Sequence, residues 1–308
     1  MASELVRELI DAGIHFGHRA SRWNPKMSPY LFGKRNSIHI IDIRQTVKGL
    51  LRAKKFLSAI VAQGQDVLFV GTKRQAKDIV VKQTERVGMH YVNERWLGGT
   101  LTNFKTIRSR LTRLEYLEEL ERSGKINEYS KKAKSQAARE RKKISRNLEG
   151  IRKMTRLPGA LVIIDVRREH IAVKEAGKLG IPTVCLVDTD SDPDGANIII
   201  PGNDDAMRAV DLIMSQLTGA VEVGKRGRAE IAATQEKAPG GPGHARRSKR
   251  MTTSALAAQQ ADTESPDPSQ DAPVETLTTA PAPASEEVAS TASENTGSPT
   301  PEVSDGVS

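Results

Sequence analysis

The sequence predicts an α/β fold: a doubly wound parallel sheet with an inserted antiparallel helical hairpin and a disordered C-terminal tail. Three observations predict it. Runs such as Val67–Val70, Ala160–Asp165 and Thr183–Asp188 are short, β-branched and apolar throughout, the texture of strands covered on both faces. Helical stretches of about 10–15 residues alternate with them, as in βαβ units. After Tyr91–Thr106 (YVNERWLGGTLTNFKT) the alternation is broken by a long, strongly charged helical pattern, and it then resumes.

Taking the elements in order, Ser3–Ala12 carries Leu5, Val6, Leu9 and Ile10 as one helical stripe closed by Gly13. His15–Thr46 comes next, and its His15 and His18 form an H-x-x-H pair. Gly13 and Gly17 argue against a helix there and no third ligand is near, so hydrogen-bonding or packing histidines are expected in preference to a metal site. Trp23-Asn24-Pro25-Lys26 and Ser28-Pro29-Tyr30 are turn chemistry, with aromatics interleaved among Arg19, Arg22, Lys26, Lys34 and Arg35. Such a loop pairs phosphates and stacks on bases, and an aromatic mini-core under an ordinary loop is the equally open alternative.

Ile38–Ile43 is a β-rich run, Thr46–Gln63 a helix and Val67–Val70 a strand. Gly71-Thr72-Lys73-Arg74 then opens a helix reaching Val87. Strand, glycine turn and helix N-terminus together make an anion site, which raises a nucleotide-dependent enzyme as the alternative function. Neither GxGxxG nor GxxxxGK[ST] is present, so a plain βα turn is favoured. Met89–Val92 is a short strand, and Thr102 or Asn103 is the expected N-cap of the next helix.

Phe104, Ile107, Leu111, Leu114, Leu117 and Leu120 recur at three- and four-residue spacing until Ser123-Gly124 breaks the run. A second arm passes through Ile126, Tyr129, Ala133 and Ala137 to Ile144, Leu148, Ile151 and Met154. Two heptad-like arms around one break predict an antiparallel coiled-coil hairpin. Lys105–Arg156 holds 17 Lys/Arg against 7 Asp/Glu. A charge run is by default a solvated face, but an excess of this size repels itself unless phosphates screen it.

Leu157-Pro158-Gly159 ends the hairpin, and Ala160–Asp165 starts the next strand. A helix Glu169–Leu179 stopped by Gly180, a strand Thr183–Asp188, a short strand Ile198–Ile200 and a helix Asp204–Leu217 complete the alternation. Counted this way, the hairpin falls between the third and fourth strand-helix units. Asp190–Gly195 matches the first half of an EF-hand loop, but Pro201 stands at its twelfth position, where a Glu is required. The acids here, with Asp188, Asp204 and Asp205 as the weak candidates, are at most opportunistic Mg²⁺ ligands, and no cofactor is implied. Lys225–Lys237 reads as a last short helix and Ala238–Arg250 as a flexible basic segment. Met251–Ser308 has no aromatic residue and is expected to be disordered. The divisions are thus 1–103, the hairpin 104–156, 157–224, and an extension 225–308.

Charge narrows the function. The net charge of +9 hides a split: the ten acids after Met251 face no Lys or Arg, which leaves +19 in residues 1–250. A field of that size suits a polyanion such as nucleic acid. No apolar run is long enough to span a bilayer, and the N-terminus lacks the apolar core of a secretory signal. The single Cys185 rules out a disulfide framework within the chain and suits a reducing, cytosolic setting. No G-x-S-x-G, H-E-x-x-H or Walker motif nominates a reaction, so no enzyme activity and no small-molecule substrate are expected.

Several blocks, in order over roughly residues 3–220, resemble the bacterial-type ribosomal protein number two family of the small subunit. They are HFGHRASRWNPKMSPYLFGKRNSIHIIDIRQT, VGTKRQAKD, YVNERWLGGTLTNFKTI, VIIDVRREH and EAGKLGIPTVCLVDTDSDPDGANIIIPGNDDAMRAV. The resemblance implies a flavodoxin-like domain of five parallel strands with a protruding coiled-coil hairpin. It implies a non-catalytic protein of the cytoplasmic ribosome that contacts 16S rRNA where the head meets the body of the small subunit. It also implies neighbouring ribosomal proteins as partners, including the multi-OB-domain protein number one. Asp190 and Ala196-Asn197 depart from the family's usual residues in the acidic turn. The candidate RNA contacts are Arg19, Arg22, Lys26, Lys34 and Arg35 with Trp23 in the N-terminal loop, and Trp96 at the hinge. The hairpin adds Lys105, Arg108, Arg110, Lys131, Lys132, Lys134, Arg139, Lys142 and Lys143.

Overall fold

The computed structural model describes residues 2–237, so the basic segment Ala238–Arg250 and the tail Met251–Ser308 lie outside the described residues. Helix α1 (Ala2–Asp11) leads into β1 (Phe16–Arg19), β2 (Leu31–Arg35) and β3 (Ile38–Ile41), which form an antiparallel sheet in the order β1-β3-β2. Residues 15–35, a loop by their sequence, thus contribute two strands. The strands β1 and β2 are short, contain Gly17 and Gly33, and are largely exposed, so they lack the apolar alternation that marks a strand. The turn joining β2 to β3 uses Asn36 (φ 49°) and Ser37 (φ 61°), two left-handed residues as a tight hairpin requires, without the glycine that advertises one.

Helix α2 (Ile43–Ala62) is capped by Asp42, whose carboxylate accepts from the Arg44 N–H at 2.9 Å. Then come β4 (Val67–Val70), α3 (Lys77–Val87) and β5 (His90–Val92). The hairpin is α4 (Phe104–Arg122) and α5 (Lys131–Leu148), joined through Gly124 at φ 72°. The chain resumes with β6 (Ala160–Ile164), α6 (His170–Leu179), β7 (Thr183–Val187), β8 (Ile198–Pro201) and α7 (Met207–Lys237).

All neighbouring strands of the second sheet are parallel, in the order β5-β4-β6-β7-β8. By their own sequence that is second-first-third-fourth-fifth, the flavodoxin-like order, with its reversal between β4 and β6. Because Ile38–Ile41 belongs to the other sheet, the hairpin lies between the second and third parallel strands and not, as counted from sequence, between the third and fourth.

Alternate strand residues face opposite ways and build two cores. Val67, Phe69, Val162, Ile164, Val184 and Leu186 meet α2, α3 and α7 on one face. Leu68, Val70, Leu161, Ile163, Cys185 and Val187 meet α6 on the other, together with Ile107, Leu111, Leu148 and Ile151 from the foot of the hairpin. The hairpin is therefore anchored as part of a layer of the domain. Cys185 is fully buried, and burial pushes its thiol up to about 12, as expected of an inert core residue.

Helix α7 continues unbroken past residue 224, where two helices were expected. Gly224 is the reason for both. A Cβ there would lie 2.6 Å from the Ser58 carbonyl oxygen, so the glycine marks the close crossing of α7 on α2 and not the end of a helix.

Candidate nucleic-acid interface

The hairpin leaves the sheet through Trp96–Asn103, and one side chain organises that segment. Glu175 of α6, 6 % exposed, accepts from Trp96 Nε1 at 3.1 Å, Gly99 N at 2.7 Å, Leu101 N at 3.0 Å and Thr102 N at 3.1 Å. Burial raises its carboxyl pKa, but the backbone N–H groups of Thr102, Gly99 and Leu101 outweigh that and hold it below the ordinary value. The side-chain cap expected from Thr102 or Asn103 does not form, and Glu175 instead fixes the segment that leads into α4. Asn103 occupies the N-cap position without capping by its side chain, and its Oδ1 accepts from Thr106 Oγ1 at 2.8 Å. Glu175 sits on the apolar side of α6 between Val173 and Ala176, and that unexplained acid was its only signal in the sequence. Trp96, placed among the stacking candidates, is 6 % exposed with its indole N–H engaged, so it packs the hinge and presents no free ring to a base.

Along the hairpin the charges sort into two groups. Three of the four acids of α4 are met by particular arginines: Glu118 by Arg152 at 2.6 Å, Glu119 by Arg122 at 3.1 Å and Glu121 by Arg141 at 3.1 Å. Arg113 pairs with Glu140 at 3.2 Å, and Arg146 with Glu94 at 2.8 Å. Among the described residues, none of the hairpin candidates named from sequence takes part in an ion pair. Arg108 donates to the Met154 carbonyl at 3.2 Å, Arg139 to the Ser135 carbonyl at 3.2 Å and Lys134 to Asn127 Oδ1 at 3.3 Å. Lys105, Arg110, Lys131, Lys132, Lys142 and Lys143 are exposed. At about 3.6 residues per turn, Lys131, Lys132, Arg139, Lys142 and Lys143 share one side of α5, opposite Ala133, Ala137, Ile144 and Leu148. The helix thus turns its apolar stripe to α4 and a continuous cationic stripe outward.

On the antiparallel sheet Arg19, Arg22, Trp23, Lys34 and Arg35 are exposed, and the Trp23 ring lies 4.9 Å from that of His39. Lys26 is otherwise engaged, at 2.8 Å from Asp192 and 2.6 Å from Asp194, and these acids hold its pKa above the ordinary lysine value. That pair locks the N-terminal segment to the acidic turn and removes Lys26 from the free cations.

The carboxyl edge of the parallel sheet is where this fold binds nucleotides, and here its own side chains occupy it. Glu169 accepts from the N–H of Thr72 at 3.2 Å and from its hydroxyl, while Arg168 Nε donates to that hydroxyl at 2.9 Å. Lys73 lies 2.6 Å from both Asp204 and Asp205, and the two carboxylates lift its pKa to about 12 against the effect of burial. Burial, reinforced by Asp188 and Asp165, pushes Asp204 up to about 7. His18 meets Asp188 at 3.0 Å, and Arg167 meets Asp190 at 2.7 Å. The turn that resembled an anion site is filled by an internal carboxylate, and the acids that resembled metal ligands are matched by cations. Among the described residues no group of three or more His, Cys, Asp or Glu is arranged to hold a metal ion.

The chain is similar to known proteins over most of its length. The family model described as ribosomal protein S2 matches residues 9–224. A protein of Rhodopirellula baltica named small ribosomal subunit protein uS2 is 58% identical over 240 residues, covering 78% of this chain and 92% of its own. Proteins of the same name from Syntrophobacter fumaroxidans and Desulfatibacillum aliphaticivorans are 51% identical over 226 residues and 50% over 225. They cover 73% of this chain each, and 82% and 76% of their own lengths.

Proposed function

The chain belongs to the ribosomal protein S2 family, and from that premise we propose that its hairpin is the arm by which it grips RNA. The protein is a structural, non-enzymatic constituent of the small ribosomal subunit, associated with the subunit and its rRNA in the cytoplasm. Within that role the parallel sheet is a rigid platform, and the cationic side of α5 carries lysines and arginines to RNA phosphates. Phosphate contacts give affinity and position without reading base sequence. Arg19, Arg22, Lys34 and Arg35 add exposed cations on and next to the antiparallel sheet, where Trp23 is also exposed. The RNA addressed is 16S rRNA near the junction of head and body, and neighbouring small-subunit proteins, including the multi-OB-domain protein number one, dock on the remaining surface.

One observation carries the reading: five of the seven acids of the hairpin are paired with arginines, while Lys131, Lys132, Lys142 and Lys143 among the described residues are in no ion pair. Self-repulsion on one helix face is tolerable when an external anion screens it. The test is a salt titration of the full chain against small-subunit rRNA. Neutralising those four lysines to Gln is expected to lower the slope of log affinity against log salt by roughly 3, from the slope of about 0.7–0.9 per phosphate neutralised. An unchanged slope would refute phosphate binding by α5. No observation favours the alternative of a nucleotide-dependent enzyme, since its turn is closed by Glu169.

A further inference from the structure

We propose that the cleft between the two arms, toward the far end of the hairpin, is a nucleobase site that receives one unpaired base against Tyr116 and Tyr129. The inference rests on the RNA-binding reading of the hairpin and adds what phosphate contacts lack, a preference for unpaired over paired RNA.

Exposure is the first observation. The leucines that zip the arms are buried, Leu114 at 0 % and Leu117 at 3 %, yet Tyr116 and Tyr129 are each 49 % exposed. A tyrosine placed to pack the coiled coil would share the burial of its neighbours. Proximity is the second. Tyr116 comes from α4 and Tyr129 from the connection to α5, and the Tyr116 phenol beside it raises the Tyr129 pKa. Both rings line a cleft of about 300 Å³, near the lower end of the roughly 300–1,000 Å³ typical of ligand sites. That space suits a flat ring of one base.

The polar groups around the cleft are the third observation. The Arg113 guanidinium lies 5.3 Å from the centroid of the Tyr116 ring and 3.2 Å from Glu140. Lys134 and Gln136 also line the cleft. An aromatic ring flanked by cations is the arrangement that stacks single-stranded bases, because every base offers a π-face and its phosphate lies within reach of a lysine. Gln136 and Glu140 supply a donor and acceptors for the edge of a splayed-out base. A protein helix docked there would need a continuous apolar groove, and Arg113, Lys134, Gln136 and Glu140 interrupt this one.

The experiment uses the full chain and two probes: a single-stranded RNA carrying 2-aminopurine, and a fully paired duplex of the same length. Replacing both rings together (Tyr116→Leu with Tyr129→Leu) keeps apolar bulk on the helices. It is expected to weaken single-strand binding about tenfold, the scale of one lost base stack. Quenching of the 2-aminopurine should disappear with it. Duplex affinity and the salt slope should stay as they were, and phenylalanine at both positions should restore the single-strand affinity. Equal losses for both probes, no loss at all, or no difference between Phe and Leu would overturn the site. If the leucine variant kept its RNA affinity but released a neighbouring protein from the assembled subunit, the cleft would be a protein-docking site and the proposal would fall. The phosphate reading fails separately: there the four-lysine variant leaves the salt slope unchanged, whatever the tyrosines do.

Discussion

Glu175 shows how much a single side chain decides. Its carboxylate is the common acceptor for four backbone or indole N–H groups at the point where the hairpin departs. Replacing it with alanine leaves several donors without a partner, each costing about 1–3 kcal/mol. We expect Glu175→Ala to lower unfolding free energy by about 3–5 kcal/mol in urea titrations, with protection from hydrogen exchange lost first around Trp96–Thr102. The folded pKa of Glu175 is depressed, so its stabilisation is present above the unfolded value of about 4.3 and fades as pH falls through the lower folded value. The gap between the parent and Glu175→Gln should therefore narrow below that range. His18 works in the opposite sense. The Asp188 carboxylate 3.0 Å away lifts it to about 9 against the effect of burial, so its contribution is complete below about 6.5 and is lost as pH rises through about 9. An NMR titration of His18 with a midpoint near 6.5, the ordinary value, would contradict the ion pair.

Elements divide into those held by the sheet and those held only by each other. Ile107 and Leu111 of α4 join the sheet core, whereas Leu114 and Leu117 are buried outside both core clusters. Leu114→Ala is therefore expected to destabilise the outer hairpin by about 2–3 kcal/mol. Amide exchange should speed up in the outer turns of α4 and α5 while β4, β6 and β7 stay protected. Gly224 tests the opposite case, a helix held by a close crossing. Alanine there gains about 1 kcal/mol of helix propensity. It also places a Cβ 2.6 Å from the Ser58 carbonyl oxygen and 2.9 Å from Val61 Cβ. Strain of about 1–3 kcal/mol should win, and the melting temperature should fall.

At the scale of the whole molecule, the hairpin is separable in function but rooted in the fold. Arg113 and Glu140 face each other across the arms at 3.2 Å. Removing residues 114–139 and joining that pair through a short glycine linker keeps Ile107, Leu111, Leu148 and Ile151 on the sheet. Such a chain should unfold cooperatively near the parent temperature, with a markedly shallower salt slope for rRNA binding. Deleting 104–156 outright would uncover Leu161, Ile163 and Val187 and should leave a chain that aggregates. Both outcomes are read by calorimetry and sedimentation.

The sequence alone determined the alternation of strands and helices, the two arms of the hairpin and its cationic excess, because each is written in local periodicity and charge. Val67–Val70 and Thr183–Val187 read as fully covered strands because they are short, β-branched and almost wholly apolar, and every residue in both is buried. Three things only the tertiary structure decided. Ile38–Ile41 joined a separate antiparallel sheet, since strand partnership depends on residues far away in sequence. Gly224 became a helix crossing in place of a helix end, since the Ser58 carbonyl meets it from another helix. Lys26 and Lys73 were drawn into ion pairs while Lys131, Lys132, Lys142 and Lys143 stayed outward. A lysine's charge is local, but whether an acid reaches it is settled by what folding brings within about 4 Å, the distance at which an ion pair forms.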